Sequence, residues 1–288
     1  SLEESFIDFK SYLPCNKAVV GGWKRGDEPI LPYTFSQQMH AGWCWQIEHE
    51  QLINRGYVFS DQYISTEQAT DELLALNPQI TRTRIVDFRS GCHERLWVGN
   101  VVAVGNAAGF VEPLEATAIM ANIIQADYLA ELLAQCQCRP SDAARRLYNH
   151  SMQSVWFEIR DFLALHYKAN QSCRNDFWRY CHHDISIPDL VDFLDFYNEH
   201  GPSGFLRGLL PRDICFGLEG YLAILIGNAT PHNKYRISQA QQDAWNAHTN
   251  KMRRLGENGM SIEEALYFVH HPNWHWFNDP QSTSGLAT

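Results

Sequence analysis

The amino-acid sequence predicts a mixed fold, α+β or α/β, in which a part with a β-sheet is followed by a mainly helical part. Up to about residue 116, short apolar runs alternate with Gly, Pro and Asn, a pattern typical of strands joined by turns. From residue 117 onward, apolar residues recur with the period of an α-helix. The 288 residues, 45% of them hydrophobic, can bury a large core. We predict two domains, residues 1–135 and residues 136–288.

The first part reads as strands with one helix. Residues 66–76 begin with a threonine cap and a glutamate and then show helical spacing, which predicts a helix. Glycine-rich and polar segments predict a loop at 21–32 and a turn at 54–56. The runs rich in β-branched and aromatic residues predict strands at 15–20, 32–39, 41–48, 56–60, 85–89 and 97–105.

The second part reads as a series of helices interrupted by glycine and proline. Breaks are expected at Gly201-Pro202 and at Leu210-Pro211. Helices are predicted from residue 117 to about 133 and at 142–168, 187–199, 240–255 and 261–268. The long helix at 142–168 is expected to connect the two parts.

Composition and charge exclude several classes of partner. The formal net charge is -10, which argues against a nucleic-acid partner, because such proteins usually carry a basic patch. No run of about 18 apolar residues is present, so no membrane partner is expected. Eight cysteines are scattered without a CxxC pair, and the chain shows no signal peptide. We therefore expect reduced thiols, a cytoplasmic location and no metal centre.

The segment VVAVGNAAGFVEPLEATAI, residues 101–119, contains the residue types of a functional site. The VVAV run predicts a strand buried on both faces, and Gly105 permits a tight turn or a close approach to a ligand. Glu112 and Glu115 flank Pro113, and a helix begins close behind them. Its free N–H groups would suit an anion. From these residues alone, a plain turn with an acidic helix start is equally consistent with the pattern.

Two motifs in this sequence resemble those of the flavin-dependent halogenase family, of the tryptophan type. GNAAGFVEPLEAT resembles the family signature, and Gly42-Trp43-Cys44-Trp45-Gln46-Ile47 resembles the family's G-W-x-W-x-I motif upstream of it. The resemblance extends from about residue 12 to residue 227. It implies a flavin-monooxygenase-like FAD domain with a β-sheet, followed by a helical subdomain. In this family reduced FAD and oxygen convert halide into hypohalous acid, which halogenates an electron-rich aromatic.

The resemblance also implies a set of site residues, partners and cofactors. FAD would arrive reduced from a separate flavin reductase, the halide would be chloride or bromide, and the substrate would be an aromatic such as indole or tryptophan. A homodimer is possible. Glu112 is expected to be structural. The implied site residues are Glu115 for catalysis, Gly105, Asn106 and Ala107 for the flavin, Thr117 and Ala118 for the halide, and Trp43, Trp45 and Ile47 as a wall between substrate and flavin.

The chain departs from the family pattern in ways that keep alternatives open. Ala116 replaces a serine and Ala118 replaces a glycine. No G-x-G-x-x-G motif is present, and the family's catalytic lysine has no counterpart here. These features predict the C-terminal portion of a halogenase that lacks the N-terminal FAD-binding unit. The alternatives are a catalytically inert fragment that binds an aromatic ligand or a partner chain, and a related flavin monooxygenase.

Overall fold

The computed structural model describes residues 4–172, 174–212, 214–233 and 237–274. The chain divides into two compact units, one formed by residues 1–25 and 34–235 and the other by residues 26–33 and 236–288. The predicted boundary at residue 136 is a different division of the chain and stays a prediction. The predicted mixed fold is confirmed, because the larger unit combines antiparallel sheets with a group of packed helices.

The strands of the described residues are short, as expected for antiparallel sheets. They are β1 (Phe6–Asp8), β2 (Lys17–Lys24), β3 (Phe35–Met39), β4 (Gly42–Glu48), β5 (Leu52–Phe59), β6 (Thr83–Asp87), β7 (Gly91–His93), β8 (Trp97–Val98), β9 (Val101–Val102) and β10 (Gly109–Phe110). The largest sheet has the order β3-β4-β5-β2-β6, and a smaller sheet has the order β1-β7-β10. All these neighbouring strands are antiparallel.

The turn predicted at 54–56 is wrong, and the loop predicted at 21–32 begins only after Lys24. Gly22 lies inside β2, and Gly56 lies inside β5. At Gly56 a Cβ atom would lie 2.3 Å from the indole ring of Trp45, and at Gly22 it would lie 2.7 Å from the Ile53 carbonyl oxygen. Glycine is therefore required here because neighbouring groups approach the backbone closely, while the chain remains extended.

The continuous strand predicted at 97–105 is also wrong. β8 and β9 form a two-stranded hairpin, in which Trp97 pairs with Val102 and Val98 with Val101. Gly99 has a φ of 60° in the turn between them, and this left-handed conformation suits a two-residue hairpin loop. Val101 is 47% exposed, so the VVAV run is not buried on both faces.

The described residues form eight helices. They are α1 (Thr66–Leu76), α2 (Thr117–Gln135), α3 (Asp142–Ala169), α4 (Asp176–His183), α5 (Val191–His200), α6 (Leu218–Gly227), α7 (Gln239–Glu257) and α8 (Ile262–Val269). Six of the eight helices were predicted from the sequence, whereas α4 and α6 were not. The helix predicted at 66–76 is confirmed at both ends, although Ser65, one residue earlier, provides the cap. Short 3₁₀ turns occupy Gly105–Ala107, Pro188–Leu190 and Gly204–Leu209.

Helix α3 forms the centre of the larger unit and carries side chains towards the site. Its residues 158–165 are all buried, so other elements enclose the helix on most of its circumference there. The buried charges of Arg160 and Asp161 form an ion pair. Glu158, Phe162 and His166 are spaced four residues apart and therefore lie on one face of the helix. Tyr167 is the next residue after His166 and points into the core, where it is 2% exposed.

The smaller unit contains helices α7 and α8, which show no buried residues. Each of them begins with a reciprocal capping box, formed by Ser238 with Gln241 and by Ser261 with Glu264. Their local hydrogen bonds therefore stabilise the helix ends without help from a core. Across the whole described part of the chain, no helix combines the length and apolar character needed to cross a bilayer.

Candidate active site

Two glutamates lie on the loop that joins β10 to α2, and the structure places them in opposite surroundings. Glu112 is 0% exposed, whereas the side chain of Glu115 is 40% exposed. The N–H group of Ala116 donates to the carbonyl oxygen of Pro113 at 3.1 Å and closes a turn between them. The loop therefore presents one carboxyl group to the core and the other to solvent.

Glu115 forms a pair with His166 of helix α3. Its Oε1 atom lies 2.7 Å from His166 Nε2, and His166 Nδ1 lies 3.0 Å from the carbonyl oxygen of Phe162. A carbonyl oxygen can only accept, so Nδ1 donates its proton there. The bond between Nε2 and Glu115 then needs one more proton, held by the imidazolium or by the carboxylic acid. The pair can thus hold and release a proton at an exposed edge of the fold.

Sequence reasoning missed this role of His166. His166 belongs to none of the motifs from which the candidate site residues were chosen. Its distance of 51 residues from Glu115 gives no local signal, because only the packing of α3 beside the loop brings the two side chains together.

Glu112 connects three separate segments inside the core. Its Oε1 atom accepts a hydrogen bond of 2.9 Å from the indole Nε1–H of Trp43 on β4, and a further short bond from the hydroxyl of Tyr167 on α3. The Tyr167 hydroxyl also lies 3.2 Å from Cys15 Sγ. Burial raises the pKa of Glu112 to about 7, although the bonds from Tyr167 and Trp43 and the nearby His166 lower it.

The side chains of Trp43, Trp45 and Ile47 follow one face of β4, as alternate residues of a strand do. Their burial decreases along the strand: Trp43 is 5% exposed, Trp45 is half-buried over Gly56, and Ile47 is 40% exposed. Glu48 at the strand end forms an ion pair with Arg25 and pairs with Ile53 of β5. The role of these residues as a wall stays a prediction.

The start of α2 has features that suit a halide. Ala116, at the N-cap position, has a φ of 51° and no side-chain cap hydrogen bond. The first N–H groups of a helix lack partners within the helix, and here they belong to Thr117, Ala118 and the following residues. Thr117 is 1% exposed, and its Oγ1 atom has no hydrogen-bond partner. Ala118 has ordinary helical geometry, so the glycine it replaces is not required for a positive φ.

The predicted flavin contacts occupy the 3₁₀ turn just before β10. Gly105 has a φ of 60°, and its N–H group donates to Gln125 Oε1 of α2 at 2.7 Å. Asn106 and Ala107 are exposed. The amide nitrogen of Gln125 is buried without a hydrogen-bond partner. The assignment of Gly105, Asn106 and Ala107 to the flavin stays a prediction.

An aromatic stack beside the Glu115–His166 pair was also missed from the sequence. Phe216 lies parallel to Phe162 with ring centroids 3.7 Å apart, and Phe162 meets His166 edge-on at 5.3 Å. The carboxylate of Glu158 accepts hydrogen bonds from the backbone N–H groups of residues 214–216 and so fixes the segment that carries Phe216. By contrast, the aromatic residues Phe177, Trp178 and Tyr221 of the helical part are all buried in the core.

No group of three or more potential metal ligands occurs within residues 4–172, 174–212, 214–233 and 237–274. In particular, His182 Nδ1 bonds the carbonyl oxygen of Lys168, and Cys181 is buried. The chemistry available at the site is therefore that of a carboxylate, an imidazole, free helix amides and aromatic rings.

Two flavin-dependent or tryptophan halogenases of known structure have a fold similar to that of this chain. The lanthipeptide tryptophan 5-halogenase MibH superposes with a TM-score of 0.80 at 33% sequence identity, over 92% of this chain and 51% of MibH. BrvH, a flavin-dependent halogenase from Brevundimonas sp. BAL3, gives a TM-score of 0.81 at 26% identity, over 92% of this chain and 55% of BrvH. The fold is thus that of the flavin-dependent halogenases.

Sequence relatives define the family more narrowly. The sequence profile described as tryptophan halogenase matches residues 1–243, so the chain belongs to the tryptophan halogenase family. Tryptophan 6-halogenase ThaL of Streptomyces albogriseolus is 35% identical over 196 residues, 66% of this chain and 36% of ThaL. Tryptophan 7-halogenase KtzQ of Kutzneria sp. is 34% identical over 62% of this chain and 34% of KtzQ. The chain spans about a third of the length of these curated relatives.

Proposed function

We propose that the protein is a flavin-dependent halogenase that acts on an indole-like or other electron-rich aromatic, with Glu115 as its catalytic carboxylate. The observation that carries this proposal is the exposed Glu115–His166 pair. Glu115 lies directly before the uncapped start of α2. At the other end of the same loop, Glu112 contacts Trp43. One short segment would thus bring a carboxylate, an anion site and an indole wall together.

The proposed reaction replaces a ring hydrogen by a halogen. Reduced FAD, when bound, would supply the two electrons with which oxygen and halide give hypohalous acid and water. The ring carbon then forms a bond to the halogen, the hypohalous oxygen leaves as water, and the ring loses a proton. Glu115 accepts that proton, and His166 holds its carboxylate in place and passes the proton towards solvent. A carboxylate beside the ring also stabilises the positive charge that develops on it.

The remaining residues of the site would bind the cofactor and the ions. Gly105, Asn106 and Ala107 would contact the flavin, and the amides of Thr117 and Ala118 would hold chloride or bromide. The buried and unpartnered Thr117 Oγ1 and Gln125 Nε2 atoms support this, because unpartnered buried polar groups are costly unless a ligand satisfies them. Trp43 and Trp45, with Ile47 at the exposed end, would separate the aromatic from the flavin.

The proposal includes partners outside these 288 residues. The FAD pyrophosphate site and the catalytic lysine would be supplied by a segment that the family carries before this region. A flavin reductase would deliver reduced FAD. We further propose a cytoplasmic location, in line with the free cysteines of the described residues, and a homodimer as the assembly to test.

The proposal is tested with the protein produced from its complete reading frame. Intact mass is measured first, and the protein is then incubated with reduced FAD, oxygen, bromide and indole. We expect the wild type to form brominated indole. No brominated indole should form without bromide or with the Glu115→Gln variant. A hydroxylated product that is independent of halide would show a flavin monooxygenase instead. Binding of indole without turnover would show a protein that only binds aromatics.

A further inference from the structure

Glu112 is a fully buried carboxyl group that the proposed reaction does not use. It is 0% exposed, and its two hydrogen bonds reach different elements, to Trp43 on β4 and to Tyr167 on α3. We infer that Glu112 is a positioning residue whose neutral carboxyl group fastens the Trp43 indole to helix α3 and so holds the wall beside Glu115. This inference rests on the proposed function for the meaning of the wall, but the contact itself can be tested separately.

The geometry favours a neutral carboxyl group. Both hydrogen bonds go to Oε1, while Oε2 is buried without any partner. An ionised carboxylate needs several donors or a cation, and one of its two oxygens here would have none. Burying the protonated form costs less free energy than burying the ionised form, because the protonated carboxyl group carries no net charge.

The groups around Glu112 offer little compensation for a negative charge. From α3 it faces Tyr167 and His166, from β4 it faces Trp43, and from the segment before β2 it faces Cys15. Burial also raises the pKa values of Cys15 and Tyr167, so both stay neutral at physiological pH. Only His166 can become cationic, and its Nε2 atom is already engaged with Glu115.

The consequence is a wall that depends on pH. When Glu112 ionises, the charge must be hydrated or rearranged, and the bonds that align Trp43 with Tyr167 are disturbed. A displaced indole would let the aromatic substrate approach the flavin. Oxygen would then be the oxidant and reduced flavin the reductant of a direct hydroxylation, which gives a phenol and water. Raising the pH through about 7 should therefore increase hydroxylated product at the expense of halogenated product.

The contact is tested first by NMR, without any turnover. The nine tryptophans give a small set of indole N–H signals, and Trp43→Phe assigns the one of interest. In the wild type this signal should titrate with a midpoint near 7. In Glu112→Gln it should keep its hydrogen-bonded shift and not titrate, because the amide oxygen still accepts. Trp97 and Trp178, whose Nε1–H groups bond the backbone carbonyls of Gly99 and Met39, serve as internal controls and should not titrate.

The product ratio then tests the consequence for the wall. At pH 8.5, taken as roughly 1.5 units above the midpoint, the ratio of hydroxylated to halogenated indole should exceed that at pH 6 about tenfold, the size expected for one lost hydrogen bond. Glu112→Gln should keep the low ratio at both pH values. Glu112→Leu should show the high ratio at both; if it does not fold, Tyr167→Phe, which removes one bond only, should show an intermediate ratio.

The outcomes separate this inference from the proposed function. An indole signal of Trp43 that neither titrates nor changes in the Glu112 variants would overturn the inference, whatever the activity. A titrating signal with no halogenated product under any condition would support the contact and overturn the halogenase proposal. A product ratio that stays constant across pH in an active wild-type enzyme would show that Glu112 does not control the wall.

Discussion

Glu112 and Glu115 belong to the same loop, three residues apart, and yet the fold gives them opposite surroundings. Glu112 contacts only neutral donors in a closed interior, and its pKa is raised to about 7 by burial. Glu115 lies at the surface with a histidine that can become cationic as its partner. The difference arises because the loop runs along the edge of the core, with α3 beneath it.

This comparison shows how one short motif can supply two kinds of carboxyl group. An exposed carboxylate beside a histidine can exchange protons during a reaction, since solvent and a base are both within reach. A buried neutral carboxyl group is suited to holding side chains in place, because one of its oxygens can accept hydrogen bonds from two elements without a net charge being buried. The two glutamates, three residues apart, face different sides of the loop. The packing around each one then determines the hydrogen-bond partners of its carboxyl group.

The largest expected difference between the two sites concerns catalysis. Glu115→Gln should lower the halogenation rate by about 10²–10⁴-fold, the usual contribution of a general base. Glu112→Gln should change the rate far less at pH 6, because the amide reproduces the neutral carboxyl group. Single-turnover rates with bromide and indole, measured on both variants, check this expectation. Equal losses in both variants would mean that the two glutamates do not have separate roles.

The second expected difference concerns stability. Glu112→Leu removes the acceptor for two buried donors, those of Trp43 and Tyr167, and should lower the free energy of unfolding by about 4 kcal/mol. Glu115→Leu removes only a surface pair with His166 and should alter it by less than about 1 kcal/mol. Urea titrations followed by circular dichroism measure both values. A small effect of Glu112→Leu would argue against the buried contact.

The third expected difference is the pH dependence of stability. The folded-state pKa of Glu112, about 7, lies above the ordinary value of 4.5, so the folded state binds this proton more tightly than the unfolded state. The stability that protonated Glu112 contributes is fully present below pH 4.5 and is lost as the pH rises through about 7. Between pH 4.5 and pH 8 the wild type should lose on the order of 3 kcal/mol relative to Glu112→Gln.

The comparison with Glu112→Gln is needed because Asp161 also makes the protein less stable as the pH rises. Burial raises the pKa of Asp161 to about 6, although Arg160 beside it lowers the value, and this group remains in both proteins. Subtracting the two pH profiles removes its contribution. A difference curve that stays flat from pH 4.5 to pH 8 would contradict the burial effect assigned to Glu112.

The fourth prediction concerns the histidine that makes Glu115 different. His166→Ala removes the partner of Glu115 and should lower the halogenation rate about tenfold, the cost of one lost bond to a charged group. Added imidazole should restore part of the rate, because it can occupy the space of the missing ring. His183→Ala, an exposed histidine on α4, is the control and should show neither effect. A loss without rescue would indicate a packing role only.

Much of this arrangement could be predicted from the sequence, and the exceptions have physical reasons. The helices were placed well because caps and periodicity are local signals, as in α1 and α3. The strand errors came from Gly22 and Gly56, where glycine reflects close approach of neighbouring groups that no local pattern reveals. Glu115 was selected from a motif, and its surroundings agree with a proton-transfer role that stays a proposal.

The roles of His166 and Phe216 could not be predicted, because they depend on contacts between distant segments. His166 meets Glu115 across 51 residues, and Phe216 is held by Glu158 across 58 residues. The environment of Glu112 was equally hidden: its structural role was expected, but the sequence does not indicate that both its donors are neutral. Motifs identify residue types, whereas the ionisation of each residue depends on the assembled core.

The smallest expected effect concerns the residue that follows Glu115. Ala116 has a φ of 51°, a left-handed conformation that costs an alanine about 1 kcal/mol and a glycine very little. Ala116→Gly should therefore raise the free energy of unfolding by roughly 0.5 kcal/mol, after the greater freedom of glycine in the unfolded chain is subtracted. Ala229, with a φ of 52° just after α6, provides a matched control at a site away from the loop.

The two alanine variants separate general strain from a feature of the candidate site. If both substitutions stabilise the protein equally and neither changes bromide affinity, the strain at Ala116 is ordinary backbone strain. If Ala116→Gly alone weakens bromide binding while the stability gain matches that of Ala229→Gly, the rigid left-handed alanine holds the first amides of α2 in position. A loss of stability in Ala116→Gly would contradict the left-handed conformation and with it the uncapped start of α2, the exposed end of the loop from which Glu115 projects.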